Sequence, residues 1–442
     1  MSAHTTSARQ PWRPCSIVVT AALALALGCG RAPLTSVHGQ VAPGFEAVRA
    51  EFERNFSERG ERGAAVAAYY RGQKVVDLWG GERNDAHEPW QEDTLVPVFS
   101  TSKGIAALTL AMLHARGFLS YDERVAYYWP EFAQNGKGTI TVRQLLSHEA
   151  GLVLLDQELS WDDVNDLDHL ATILARQTPR WVPGSRHGYH LSTLGLYMNE
   201  LVRRTDPKHR SLGRFLADEV TAKLGCEFYI GAPPSVGPTR VAQVYLPNPG
   251  GGLVHLGDPP LPLFARVISP WSVFSQSLVI PKGFDANDPH WWRVELPSGN
   301  GIGSARAVAR LYAAFATGGR ELGLPERSLE ELEWPPSIPP AGAEDAVLGV
   351  DTYYALGFIK PSPTLDWGTS RRAYGMAGAG GSFGFADPDL GLGFGYVMNR
   401  MGYYLNDDPR EVSLQVAVLA AAGKLERAFL ARGGIAGGGA AR

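Results

Sequence analysis

Three cysteines in 442 residues exclude a disulfide framework. Cys15 stands in the N-terminal leader and Cys29 directly after it, which leaves Cys226 without a partner. Charge of one sign is equally scarce: 41 Lys and Arg against 45 Asp and Glu leave a net charge of -4, with no long block of like charge. Such a balance offers no basic field to gather phosphate backbones, so a nucleic-acid partner is excluded along with a charged interaction tail. No apolar run beyond the leader is long enough to cross a bilayer, and no internal repeat marks a solenoid. What remains is 45% apolar and 19% charged, the composition of a folded, enzyme-sized chain with a large core in one composite domain or two.

The leader reads as an export signal. Arg9 and Arg13 supply its positive end, and "SIVVTAALALAL", Ser16 to Leu27, is an apolar stretch too short for a permanent span. "ALGCG", Ala26 to Gly30, resembles a bacterial lipoprotein signal. That resemblance implies cleavage after residue 28, acylation of Cys29 and a lipid bilayer as partner at the cell envelope. A plain cleaved signal, giving a soluble periplasmic or secreted protein, is the alternative. Residues 29–44 then read as a tether.

Further along, "GAAVAAYYRGQKVVDLWGG", Gly63 to Gly81, is two β-rich runs around Arg71-Gly72, the signal of a hairpin. Gly104 to Gly117 has the composition of a buried helix that Gly117 ends. "GGSFGFADPDLGLGFGYVMN", Gly380 to Asn399, reads as a second hairpin turning at Asp387 to Leu390, and Pro409 to Leu430 as a closing helix. Hairpins near both ends predict one antiparallel sheet built from both termini. The expected division is an α/β sheet domain from 45–118 and 295–430, a helical insertion at 119–294, and a disordered tail at 431–442.

Ser100 and Lys103, in "VFSTSKGIAA", stand three apart at the mouth of the predicted helix and so share one face of its first turn. An amine held beside a hydroxyl, where the ammonium is disfavoured, can take the hydroxyl proton, and a helix N-terminus favours the alkoxide. Spacing alone is weak evidence; a helix cap beside a surface lysine has the same pattern.

Four stretches in order agree with the catalytic reading: "FSTSKG", "TVRQLLSHEAGL", "PGSRHGYH" and "GMAGAGGSFGFADP". Together they resemble the serine β-lactamase-like superfamily, and most of all the class C β-lactamase-related esterases called family VIII carboxylesterases. The resemblance spans Val41 to about Arg410. It implies an α/β (α+β) fold of β-lactamase and penicillin-binding-protein type, an antiparallel sheet flanked by helices with an inserted mainly helical domain. It also implies an acyl-enzyme on Ser100, Lys103 and Tyr189 as proton-transfer groups, no cofactor, and a small-molecule ester as substrate. The third motif, Met376-Ala377-Gly378, is expected on an edge strand, bringing the N–H of Ala379 to face that of Ser100 as an oxyanion hole.

Two departures from the family pattern bear on substrate. Leu191 stands where an asparagine usually follows the motif tyrosine, and Met376 stands where Lys or His is usual. A thioether offers no charge to the carboxylate of a β-lactam. The favoured reading is therefore ester hydrolysis. A β-lactamase or D-amino-acid peptidase on the same fold, and a catalytically silent scaffold, are the alternatives.

The rival nucleophile is Ser382 in a Gly-x-Ser-x-Gly pattern, but strand-like sequence follows it and no histidine lies beyond His290, so the α/β-hydrolase order fails. His148 reads as structural. His187 and His190 lack a third ligand for a metal, so none is expected. Trp271, Phe274, Phe284, Trp291 and Trp292 fit an acyl pocket or a core equally well and stay outside the predicted site.

Overall fold

A computed structural model describes residues 36–247, 261–363, 365, 367–404 and 407–431. The leader at 1–28, Cys29, the first part of the tether and residues 432–442 of the tail lie outside them.

The chain opens with β1 (Val37–Val41), placed inside the expected tether. It pairs antiparallel with β3, Val37 opposite Gly80 and Val41 opposite Val76, so its backbone groups are spent in a ladder. Its glycine and polar residues hid an edge strand, which needs only one buried face. Helix α1 (Glu46–Glu58) follows and buries Val48 and Phe52. The first hairpin is β2 (Gly63–Tyr70) and β3 (Gln73–Gly81). Arg71 and Gly72 both have positive φ, 49° and 78°, as the tight primed turn of a hairpin demands.

After β4 (Val96–Pro97) comes α2 (Thr101–Ala115), whose residues 101–113 are all buried. Apolar residues on every side make it a core helix, not a surface one. Helix α3 (Thr193–Thr205) packs on it. Strands β5 (Phe228–Tyr229) and β6 (Ile302–Gly303) join β4 in a small sheet of order β4-β6-β5. Then come α4 (Ala305–Ala316), the short strands β7 (Tyr354–Ala355) and β8 (Phe358–Ile359), and β9 (Tyr374–Ala377). The second hairpin, β10 (Phe383–Asp387) and β11 (Leu392–Met398), and the helix α5 (Pro409–Ala431) complete the chain.

The main sheet has the order β1-β3-β2-β11-β10-β9-β8-β7, antiparallel throughout. Pairing of β2 with β11, Val66 opposite Tyr396, joins the two ends of the chain at its centre. Strand β9 is not at the edge as expected. The pair β7 and β8 extends the sheet beyond it, with Ile359 opposite Gly375, but strands of two residues carry no readable alternation.

Both faces of the sheet are covered. Val66, Phe385 and Phe394 pack under α1 and α5 with Phe52 and Val418, while Ala65, Ala67 and Val397 face the core of α2 and α4. The glycines of "GLGFG" let α4 lie close: a Cβ at Gly393 would come 2.2 Å from the nitrogen of Ala313, and one at Gly395 would come 2.5 Å from the oxygen of Ala305.

Candidate active site

Phe99 has φ of +47°, a strained conformation for a bulky residue, and it turns the chain sharply from β4 into α2. Ser102 stabilises that turn, its hydroxyl donating to the Phe99 carbonyl and accepting from the N–H of Gly301 at 2.8 Å. Ser100 occupies the N-cap position of α2, yet its side chain makes no capping hydrogen bond. Its hydroxyl lies instead 3.0 Å from Nζ of Lys103. The helix-cap explanation of the Ser-x-x-Lys spacing is thereby removed.

Lys103 is fully buried. Its Nζ also donates to the carbonyl of Ser298 at 2.7 Å, so both partners are neutral. Burial without a counter-charge pushes its pKa well below the usual lysine range. Ser298 is in turn fixed by α3, whose Gly195 N–H donates to the Ser298 hydroxyl at 2.7 Å.

Tyr189, just ahead of α3, is buried, and its phenol faces Ser100 in the same cleft. Its ring centroid is 4.8 Å from Nζ of Lys103. Burial raises the phenol pKa above its ordinary value, outweighing the opposing influence of Ser100. The ring stacks on Tyr354 and tilts against His148, with centroids 6.0 and 5.0 Å away. Asp345 anchors the segment. Its carboxylate accepts from the N–H groups of Tyr189 at 3.1 Å and of Val347 and Leu348 at 2.8 Å, and from the Tyr354 hydroxyl at 3.1 Å.

The histidines nearby are structural. His148 Nδ1 accepts from the His190 N–H at 2.9 Å, and His190 Nε2 accepts from that of Leu152 at 3.0 Å. Burial lowers both pKa values, that of His190 to about 3, so both rings are neutral at ordinary pH. His187 turns elsewhere, its Nε2 2.9 Å from the carbonyl of Ala343.

On β9, Met376 is fully buried and faces α2; a Cβ on Gly104 would come 2.9 Å from the Met376 Cβ. It does not line the cleft, whereas Ala377, Gly378 and Ala379 do. Gly378 admits no side chain, since a Cβ there would sit 2.3 Å from both Ser382 Oγ and the Val98 carbonyl. Among the described residues, neither the Ser100 N–H nor the Ala379 N–H donates to a protein acceptor. Ser382, the rival nucleophile, has its hydroxyl committed to Val98 O at 2.8 Å and lies 3.0 Å from Thr101 Oγ1. Strand β10 follows it, not a helix.

Ser100, Tyr189 and Ala379 open onto one cleft of about 920 Å³. Phe274, Phe284, Trp291 and Leu296 give it apolar walls, and Leu191 lies among them. Of the aromatics left outside the predicted site, these three line the cleft; Trp292 is core, and Trp271 is 85% exposed. Clustered aromatics in a Pro/Gly-rich connection were the signal, with nothing to separate wall from core. Glu344, Asp351 and Asp407 also line the cleft, while the lining lysine, Lys360, donates to the carbonyls of Leu332 and Arg372 at 2.7 and 3.2 Å.

The family described as Beta-lactamase matches residues 50–417. The esterase/beta-lactamase LipL of Mycobacterium tuberculosis is 32% identical over 83% of each chain. A crystal structure of a family VIII carboxylesterase superposes with a TM-score of 0.76 at 34% identity, covering 87% of this chain and 100% of the other. A penicillin-binding-protein homolog from Caulobacter crescentus matches equally well, with a TM-score of 0.76 at 36% identity over 88% of this chain and 100% of its own.

Proposed function

From the premise that this chain belongs to the beta-lactamase family, we propose that it is a serine hydrolase cleaving small carboxylic esters through an acyl-enzyme on Ser100. One observation carries the reading: a buried lysine amine with only neutral partners, 3.0 Å from a serine hydroxyl that caps nothing.

Burial disfavours both the Lys103 ammonium and the Tyr189 phenolate, so the resting pair is an amine and a phenol. The Ser100 hydroxyl passes its proton to the lone pair of Lys103 as Oγ bonds to the ester carbonyl carbon. The oxygen that becomes negative is met by the free N–H groups of Ser100 and Ala379 and by the positive end of α2. As the ester C–O bond breaks, the leaving alkoxide takes the proton of Tyr189, and Lys103 returns its own to the phenolate. Deacylation runs this sequence backwards: Tyr189 passes its proton to the Lys103 amine and takes one from water as the water oxygen bonds to the acyl carbon, and the Lys103 ammonium returns a proton to Ser100 Oγ as the acid is released.

Several features favour neutral esters over β-lactams. Leu191 presents hydrocarbon to the cleft, Met376 is turned into the core, and the walls carry three acidic residues, Glu344, Asp351 and Asp407, against one lysine, Lys360, which is spent on backbone carbonyls. The test sets the full chain beside Ser100→Ala on a short-chain nitrophenyl ester and a chromogenic cephalosporin. Ester turnover that vanishes in Ser100→Ala, with little cephalosporin turnover, is the expected result; efficient cephalosporin hydrolysis would overturn the substrate reading.

The leader supports a second part of the proposal, export and lipid attachment at Cys29. Wild type should enter the detergent phase on phase separation and Cys29→Ala should not; both in the aqueous phase would refute the anchor.

A further inference from the structure

We infer that Arg410 is a positioning residue for the oxyanion hole, acting through the turn that follows Ala379. The inference rests on the proposed role of the Ala379 N–H. That N–H stands at the start of a turn whose next two residues, Gly380 and Gly381, have φ of +87° and +114°. Two glycines in sequence give the turn little conformational preference of its own, so its shape depends on what holds it. On one side the hold is local: Gly378 N–H donates to the Ser382 carbonyl at 2.7 Å, and Gly381 N–H to that of Gly378 at 3.1 Å. On the other side the Gly380 carbonyl accepts from the Gly402 N–H at 2.9 Å and from Nη2 of Arg410 at 3.0 Å.

The Arg410 guanidinium is itself immobilised. Its Nε and Nη2 donate to the two oxygens of Asp408 at 3.0 and 2.7 Å. Nη1 donates to the Arg400 carbonyl at 2.8 Å and to Glu61 at 3.3 Å. Glu61 also accepts from the Tyr396 hydroxyl in β11. The side chains of Arg410, Glu61 and Asp408 are 5, 0 and 3% exposed. A desolvated ionic cluster of this kind adds little to stability compared with apolar residues of the same volume. It does supply a planar fork that reaches the start of α5, the end of β11, the chain ahead of β2 and the Gly380 carbonyl at once. The bond to Gly380 bears on the oxyanion side of the cleft, because Ala379, one residue away, lines it; the bonds to Arg400 and Asp408 stand one residue from Met401 and Asp407, which also line it.

The test uses the full chain with Arg410→Lys, which keeps the charge and loses the fork, and Asp408→Asn, which keeps the shape and loosens the fork. Active sites are counted by fluorophosphonate labelling of Ser100, and kcat, KM and inhibition by an alkyl boronic acid, whose serine adduct mimics the tetrahedral intermediate, are measured per labelled site. Removing one oxyanion donor outright slows reactions about 10²- to 10³-fold, so a displaced donor should lower kcat roughly 10-fold or more with KM within twofold. Boronic acid affinity should weaken in proportion to kcat/KM. A merely structural role would lower the labelled fraction and the melting temperature but leave both per-site quantities unchanged. Per-site kcat and boronic acid affinity within twofold of wild type would overturn the inference, and Asp408→Asn alone decides if Arg410→Lys does not fold. Turnover that survives in Ser100→Ala would instead overturn the underlying reading.

Discussion

An ordinary lysine, with a pKa near 10.4, is neutral at pH 7 in only roughly one molecule in 2,500. A catalytic base of that kind would be almost always unavailable. Lys103 escapes the limit because it is fully buried and its two hydrogen-bond partners, the Ser100 hydroxyl and the Ser298 carbonyl, are neutral. Desolvation alone then lowers its pKa. With Lys103 as base, kcat/KM for a neutral ester should rise with pH along one titration lying well below the ordinary lysine range and then level off. Lys103→Met should lose about 10² to 10⁴ in kcat, the span of general-base catalysis, and Lys103→Arg should lose as much because a guanidinium stays charged.

The same burial has a consequence for stability. Since the folded-state pKa is depressed, the unfolded chain binds a proton that the folded chain does not, and stability rises with pH until the ordinary lysine value is passed. Lys103→Met removes that dependence but leaves the buried Ser298 carbonyl without its donor, so the sign of the difference at pH 7 is set by both; what linkage fixes is its slope, with wild type gaining stability relative to the variant as pH rises from 7 toward 10, read from their melting temperatures. A rate profile still climbing through pH 10, together with a stability difference between wild type and Lys103→Met that does not change between pH 7 and pH 10, would refute this reasoning.

Three further outcomes follow from the same geometry. Met376→Lys should not confer cephalosporin hydrolysis, because the side chain at 376 faces α2; it should instead destabilise the fold by several kcal/mol, read as a lowered melting temperature. Gly378→Ala should lower kcat at least 10²-fold, since its Cβ would stand 2.3 Å from Ser382 Oγ and Val98 O beside the oxyanion position; kcat within threefold of wild type would contradict that. Replacing Glu344, Asp351 and Asp407 together by their amides should raise kcat/KM for an ester bearing a carboxylate by roughly 3- to 10-fold at low salt. The gain should fade at high ionic strength and be absent for a neutral ester.

The long elements were legible because their signals are local. Arg71-Gly72 and Asp387 to Leu390 mark hairpin turns between β-rich runs, the second lying one residue later in the structure, and alanines with Ile105, Leu108 and Met112 mark a helix buried on all sides. The opening strand Val37–Val41 was not legible, since two of its five residues are exposed, none is fully buried, and glycine and glutamine interrupt the valines. The resemblance placed β9 at an edge, and strands β7 and β8, which lie beyond it, were too short to show a period that would correct this. Within the candidate site, Ser100, Lys103 and Tyr189 carry their motifs with them. Ser298 and Asp345 do not: their contacts to Lys103 and Tyr189 cross 195 and 156 residues of chain, and neither residue type at such a separation marks itself. The strain at Phe99 likewise belongs to a backbone angle that no residue preference announces.

The most direct test of the account is to trap the covalent intermediate. The full chain is reacted with a slowly hydrolysed nitrophenyl ester, quenched in acid, digested and mapped by mass spectrometry. The account predicts one acyl group per active chain, on the peptide containing Ser100, and none in Ser100→Ala. An acyl group on Ser382, or ester turnover without any adduct at Ser100, would contradict it.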